Sequence, residues 1–231
     1  MLEVAVQNFS TKLSDADLAA YVAAYQVQVD RDFAPTHGLV GVSLKVYPAQ
    51  GVTIPSNDWL LGFFDNSDVA GALGYHDWTP GGKPLGKVFV ETTLLDGGLV
   101  SVDGSHELLE MMCDPEISTV MQVDSSTCYA FEICDAPEDD QFSYDINGIQ
   151  VSDFVFMNWF TGGPGPYDFK GHIQSAREIL PGGYIGALTF TNGQWTQLAN
   201  TAKRSRHQLP KRGCRFERRT RRRAEWQRSL I

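Results

Sequence analysis

Long apolar runs are missing from this chain of 231 residues. None approaches the eighteen or so residues that a membrane-spanning helix needs. The first residues, Met1-Leu2-Glu3-Val4, lack a basic stretch followed by an apolar one, so a secretory leader is not expected. Cysteine is scarce. The 4 present, Cys113, Cys128, Cys134 and Cys214, include no C-x-x-C pair, which excludes a zinc ribbon and a thioredoxin-like motif. Free thiols in a reducing compartment are the expectation. Basic residues are also scarce over most of the chain. Residues 1–202 hold only 7 Lys and Arg against 26 Asp and Glu.

The remaining basic charge is concentrated at one end. Residues 203–231 hold 12 of the 19 Lys and Arg and only Glu217 and Glu225 as acids. A body of −19 therefore carries an arm of +10. Such asymmetry speaks of partners more than of fold. The composition, 42% hydrophobic and 11% aromatic, suits a sizeable core and excludes collagen-like, coiled-coil and wholly disordered chains. The length favours one acidic domain, 1–202, followed by the Arg-rich arm, 203–231.

The pattern along the chain reads as α+β, a single mixed-sheet domain. Ser14 with Asp17 three residues on marks a helix start. Leu18, Val22, Tyr25 and Val29 then recur at helical spacing to about residue 31, before Asp32-Phe33-Ala34-Pro35. Strands are expected over 40–47, 59–64 and 85–93, with 70–76 as a return strand after the turn at Asn66-Ser67-Asp68. A second helix is expected over about 99–113, stopped by Asp114-Pro115. Cys128 to Cys134 reads as a strand and Asp135 to Asp140 as a solvated acidic loop. Asn147-Gly148 marks a hairpin within 146–156. Gly162-Gly163-Pro164-Gly165-Pro166 is a loop without the Lys-Ser/Thr of a phosphate-binding turn. Tyr184 to Phe190 and Trp195 to Leu198 form a last hairpin.

The second helix carries the chemistry. At 100° per residue, His106, Glu110, Asp103, Asp114 and Glu107 fall on one face about a hundred degrees wide. Leu108, Leu109, Met111 and Met112 take the other side, which is core. Clustered carboxylates destabilise a helix unless something neutralises them, and a bound cation would do so. His106 and Glu110, four apart, can reach one ion. Glu107 would then polarise a water, as in the H-E-x-x-H arrangement of metal-assisted hydrolysis. Asp114, or Asp135 after the next strand, would complete the ligands, with Glu132 a further candidate. Glu110 stands where a second histidine would be. One histidine among carboxylates makes a hard site, which points to manganese, magnesium or calcium, with zinc retained. The plain alternative is an acidic face that is merely solvated.

The run Ser105-His106-Glu107-Leu108-Leu109-Glu110-Met111 with Asp114-Pro115 resembles a family of uncharacterised phage and prophage proteins with a zincin-like motif. Asp32-Phe33-Ala34-Pro35, Glu132-Ile133-Cys134-Asp135 and Val151-Ser152-Asp153-Phe154-Val155 extend the resemblance over most of residues 14–160. It implies a zincin-like arrangement, with the motif helix after a mixed sheet and under an edge strand. It also implies a phage setting, in the virion or the host cytoplasm.

Other candidates are weaker. His37, His76 and His172 fall in or near loops and read as surface residues that could approach the site. Tyr167 could act as an electrophilic phenol. Ser105 lacks a G-x-S-x-G elbow. In the arm, Arg204, Arg212, Arg218, Arg219, Arg221, Arg222 and Arg223 suit DNA or an acidic protein surface. Two function classes follow. One is a structural virion or assembly protein, part of an oligomeric assembly, whose arm binds DNA or neighbouring virion subunits. The other is a metal-dependent, peptidase-like hydrolase with Glu107 as the catalytic carboxylate.

Overall fold

The computed structural model describes residues 2–39, 41–48, 58–69 and 71–200. The arm, with Arg204, Arg212, Arg218, Arg219, Arg221, Arg222 and Arg223, lies outside the described residues, as does Cys214.

The chain starts with a strand, β1 (Leu2–Asn8), ahead of the helix where the sequence pattern first becomes clear. Its Val4, Ala5 and Val6 are fully buried. Helix α1 (Asp15–Val27) begins where expected, with the Ser14 hydroxyl accepting from the Asp17 amide. It does not stop before Asp32. A π-helical turn over Gln28–Phe33 leads into a short helix, α2 (Ala34–His37), closed by left-handed Gly38. Proline lacks an N–H and its ring presses on the preceding turn. The widened turn just before Pro35 lets the coil continue through it.

Strands β2 (Val42–Tyr47), β3 (Trp59–Phe64), β4 (Gly74–Trp78) and β5 (Pro84–Phe89) follow. With β1 they form a five-stranded sheet ordered β2-β1-β3-β5-β4. All pairings are parallel except β4 with β5. β4 is thus no hairpin partner of β3. It lies one strand further out, as an antiparallel edge. Helices α3 (Val90–Asp96) and α4 (Val100–Cys113) come next, so the segment 90–93 expected to end a strand is helical. The Thr93 hydroxyl turns inward onto buried Asp103, an i,i+10 contact that local β-propensity does not register.

α4 packs across β5, β4 and β3, and α1 across β1 and β2. The two helices meet where the Tyr25 hydroxyl donates to the Ser101 carbonyl. Gly104 permits that meeting, because a Cβ there would collide with Tyr25 Oη and the Phe63 ring.

After α4, strands β6 (Val120–Gln122) and β7 (Thr127–Ala130) precede the hairpin β8 (Tyr144–Ile146) and β9 (Ile149–Val151), then α5 (Met157–Thr161), β10 (Tyr184–Thr189) and β11 (Gln194–Ala199). The expected turn at Asn147-Gly148 is present, with φ of 54° and 87°. The last hairpin is present too, and joins β7 and β6 in an antiparallel sheet ordered β11-β10-β7-β6. The strand expected through Cys134 ends at Ala130. Beyond it the chain turns inward, and Ile133, Cys134 and Ala136 are fully buried. One apolar cluster runs from Val4 through Leu108, Phe154 and Trp159 to Ile185. Among the described residues no helix is long and apolar enough to cross a membrane.

Candidate metal centre

Helix α4 is buried on every side from Val100 to Met112. Its acidic face is therefore no solvated surface. His106, Glu107 and Glu110 are only 4%, 4% and 3% exposed. The helix starts after a turn in which Gly97 takes the left-handed conformation (φ 79°), and its first residues lie against the 139–140 segment through the Leu99 amide on Asp140 Oδ2. The Ser105 hydroxyl donates to the Val102 carbonyl and accepts from the Ser152 amide, which fixes β9 along the helix. Ser105 is thus a structural residue.

Two further elements close on this helix. From the sheet, β4 turns Gly74, His76 and Trp78 toward it, alternating with outward Tyr75 and Asp77. His76 pairs in register with Gly86 of β5. Gly74 and Gly86 let the helix come close: a Cβ at Gly74 would sit 2.7 Å from Glu107 Oε1, and one at Gly86 would sit 3.6 Å from Glu107 Cβ. The Trp78 indole donates to the Pro115 carbonyl at 2.6 Å and ties the end of β4 to the end of α4. From the other side, the segment after β7 brings in Glu132 and Asp135, and the Cys134 amide donates to Glu110 Oε1 at 3.0 Å.

The result is a knot of ligand atoms around Glu110. His106 Nε2 lies 3.4 Å from Glu110 Oε2 and 3.4 Å from Asp135 Oδ1. His76 Nδ1 lies 3.7 Å from both Glu110 Oε2 and Glu107 Oε2. His76 Nε2 lies 3.7 Å from Glu132 Oε2. Two ligands about 2.1 Å from one ion stand about 3.0–3.5 Å apart, so the two 3.4 Å distances at His106 fit a shared cation, and the 3.7 Å distances at His76 are slightly wider. His106, Glu110 and Asp135 form one group that could hold a metal ion, and His76, Glu110 and Glu132 form another.

Of the residues singled out from sequence, His106, Glu110 and Asp135 are brought together. Glu107 is beside them, under β4. Asp114 is directed elsewhere, accepting from the Ser118 and Thr119 amides and the Thr119 hydroxyl to close the turn after the helix. Pro115 cannot continue a helix, and the freed chain folds back on that carboxylate. Asp103 accepts from the Thr93 hydroxyl. His76, expected near the surface, is 3% exposed and central. The signal that points to it is the alternation in β4, where Gly74 and His76 are buried and Tyr75 and Asp77 are not. The segment 135–140 is not the solvated loop expected, since Asp135 and Glu138 are buried.

Burial and mutual charge set the electrostatics. Burial pushes the Glu110 carboxyl well above the usual range, and Glu132 and Asp135 push it the same way. Asp135 is raised by burial, opposed by its bond to His106. For His106 burial works against the charged form, but Glu110 and Asp135 outweigh it and hold the imidazolium well above its ordinary range. The Cys113 and Cys134 thiols are raised by burial, so they remain protonated bystanders. Lys12, Arg31, Lys45 and Lys87 pair with Glu91, Asp32, Glu3 and Asp68, away from this cluster.

Other candidates fall outside it. His37 stacks on Phe33 with rings 4.7 Å apart, and Tyr167 packs against the core. His172 stands beside buried Asp153 and Asp168, 3.3 Å from the former. That trio could also approach a cation, but its carboxylates already accept the amides of Phe154, Lys170, His172 and Ile173. Burial and the bond to Asp168 push Asp153 up to about 9. The stability given by this protonated carboxyl is full below about pH 4 and is lost as pH rises through about 9. Asp153→Asn, which keeps the neutral form, is expected to flatten the fall in stability between about pH 5 and pH 9. Urea unfolding across that range measures it.

Comparison of the chain with protein-family models, with curated proteins and with solved structures finds no match.

Proposed function

We propose that this is a phage-type structural or assembly protein organised around a buried divalent-metal centre, with His106, Glu110 and Asp135 as ligands. The observation that carries the reading is the burial of these ligand-type side chains, His106 at 4%, Glu110 at 3% and Asp135 at 3% exposure. Carboxylates gathered in a core without a cation cost several kcal/mol each, and a protein keeps such a cluster when an ion neutralises it. A centre as buried as this would stabilise the fold by tying its ligands together. The ion would tie α4 to the 131–136 segment.

A zincin-like scaffold is supported by the motif on α4, the mixed sheet before it and the antiparallel edge strand β4 over Glu107. The −19 body and +10 arm support an assembly role. Such an arm would bind DNA or acidic faces of neighbouring virion subunits, and the association would be salt-sensitive.

Elemental analysis of wild type and His106→Ala, purified side by side, tests the centre. Close to stoichiometric metal in the wild type, lost in the variant, is the expected result. No metal in the wild type after incubation with zinc, manganese or calcium would overturn it. A second reading, a peptidase-like hydrolase, is favoured by one observation: Glu107 Oε2 is buried without a hydrogen-bond partner, as a carboxylate awaiting a water would be. Peptide hydrolysis abolished by Glu107→Gln, with metal content unchanged, would establish that reading in place of the first.

A further inference from the structure

Glu110 belongs to two sets of ligand atoms. Its Oε2 faces His106 Nε2 at 3.4 Å and His76 Nδ1 at 3.7 Å. Each histidine has its own second carboxylate: Asp135 lies 3.4 Å from the same His106 Nε2, and Glu132 lies 3.7 Å from the other His76 nitrogen, Nε2, with one ligand atom each of His76, Glu110 and Glu132 within 4.8 Å of one another. We propose that the centre takes two divalent cations bridged by Glu110, the second held by His76, Glu110 and Glu132. The proposal rests on the metal-centre reading above and extends it.

Charge is the first argument. Glu107, Glu110, Glu132 and Asp135 bring four carboxyl groups into a space where each is less than a tenth exposed. With all four ionised, as metal binding requires of its ligands, and the imidazoles neutral, one divalent ion would leave a buried charge of about −2 and two would leave about zero. A net buried charge costs far more than a balanced one. Orphaned polar atoms are the second argument. His76 Nε2 and Glu107 Oε2 are buried with no hydrogen-bond partner. A buried polar atom left unmet carries its full desolvation penalty, and a cation held at His76 Nε2, beside Glu132, meets the first of them. The third argument is chemical class. One imidazole and two carboxylates per ion suit manganese(II), and carboxylate-bridged ions stand about 3.5–4 Å apart, close enough for their spins to couple.

The test is a titration of the full chain with manganese(II) alone, read by elemental analysis after removal of free ion and by electron paramagnetic resonance. The expected result is about two ions per chain, with the hyperfine-split signal of the first ion broadened when the second binds. His76→Gln and Glu132→Gln are expected to hold about one ion with an isolated, unbroadened signal. Saturation of the wild type at about one ion overturns the proposal, and needs no variant to fold. If that single ion is lost in His106→Gln but kept in His76→Gln, the first position stands and the second falls. If both substitutions abolish it, the two histidines share one ion and the bridged pair is again refuted. No binding at all, with manganese or with zinc, sinks the metal-centre reading itself.

Discussion

Stripping the protein with a chelator at about pH 8 is expected to lower its thermal midpoint by about 10 °C, and at about pH 5 to change it by far less. A ligand at a thousand times its dissociation constant stabilises by about 4 kcal/mol. For a chain of this size each kcal/mol moves the midpoint by about 2–4 °C. The pH dependence follows from the buried cluster. Glu110 and Asp135 are raised above the usual carboxyl range by burial, and His106 is raised by the carboxylates that outweigh its burial. Groups raised on folding give stability that is complete below their unfolded values and lost as pH climbs through the folded ones. The stripped protein therefore weakens as pH rises from about 4 toward 8. Metal binding requires those same groups without protons, so it strengthens over the same range. The metal-dependent gap should open with pH. A gap that stays constant, or closes, would contradict the assignment of the cluster as ligands. Calorimetry at several pH values, with and without metal, measures it.

Glu110→Gln is expected to act in opposite directions on the two forms of the protein. In the stripped form at about pH 8 it should stabilise by roughly 1–3 kcal/mol, a typical single-substitution effect but of unusual sign. The substitution removes a charge that burial and two neighbouring carboxylates disfavour. The amide oxygen can still accept from the Cys134 amide, the bond that positions this side chain. In the presence of metal the same variant should lose the metal-dependent gain, because the shared oxygen of both ligand groups becomes a neutral amide. Denaturant unfolding with and without metal separates the two effects. A variant destabilised under both conditions would mean that Glu110 is an ordinary packing residue.

Much of this protein was legible one element at a time. Ser14 and Asp17 placed the start of α1, Pro115 the end of α4, and Asn147-Gly148 the hairpin turn, because each depends on local backbone chemistry. The helical face bearing His106, Glu107 and Glu110 followed from the 3.6-residue period alone. The strand β1 does not stand out in the sequence, although Leu2, Val4 and Val6 alternate. Val4, Ala5 and Val6 are all fully buried, so apolar residues run unbroken through its middle and only Glu3 and Gln7 mark the other face. The segment 90–93, the start of α3, reads as the end of a strand because β-branched residues dominate it, and tertiary packing overrides so weak a propensity.

What the sequence by itself determined is the supply of chemistry: an acidic body, a basic arm, and a helix presenting a histidine and carboxylates to one side. Which of those groups meet was decided by the tertiary structure. Asp114 is one turn from Glu110, but the chain after Pro115 folds back and its amides claim that carboxylate. His76 is thirty residues before His106 and on a strand, yet it arrives at the centre because β4 pairs outside β5 and two glycines let the helix press against that edge. Spacing along a helix is fixed by covalent geometry and can be counted. The approach of an edge strand depends on sheet order, and sheet order is set by burial across the whole chain, which no local pattern encodes.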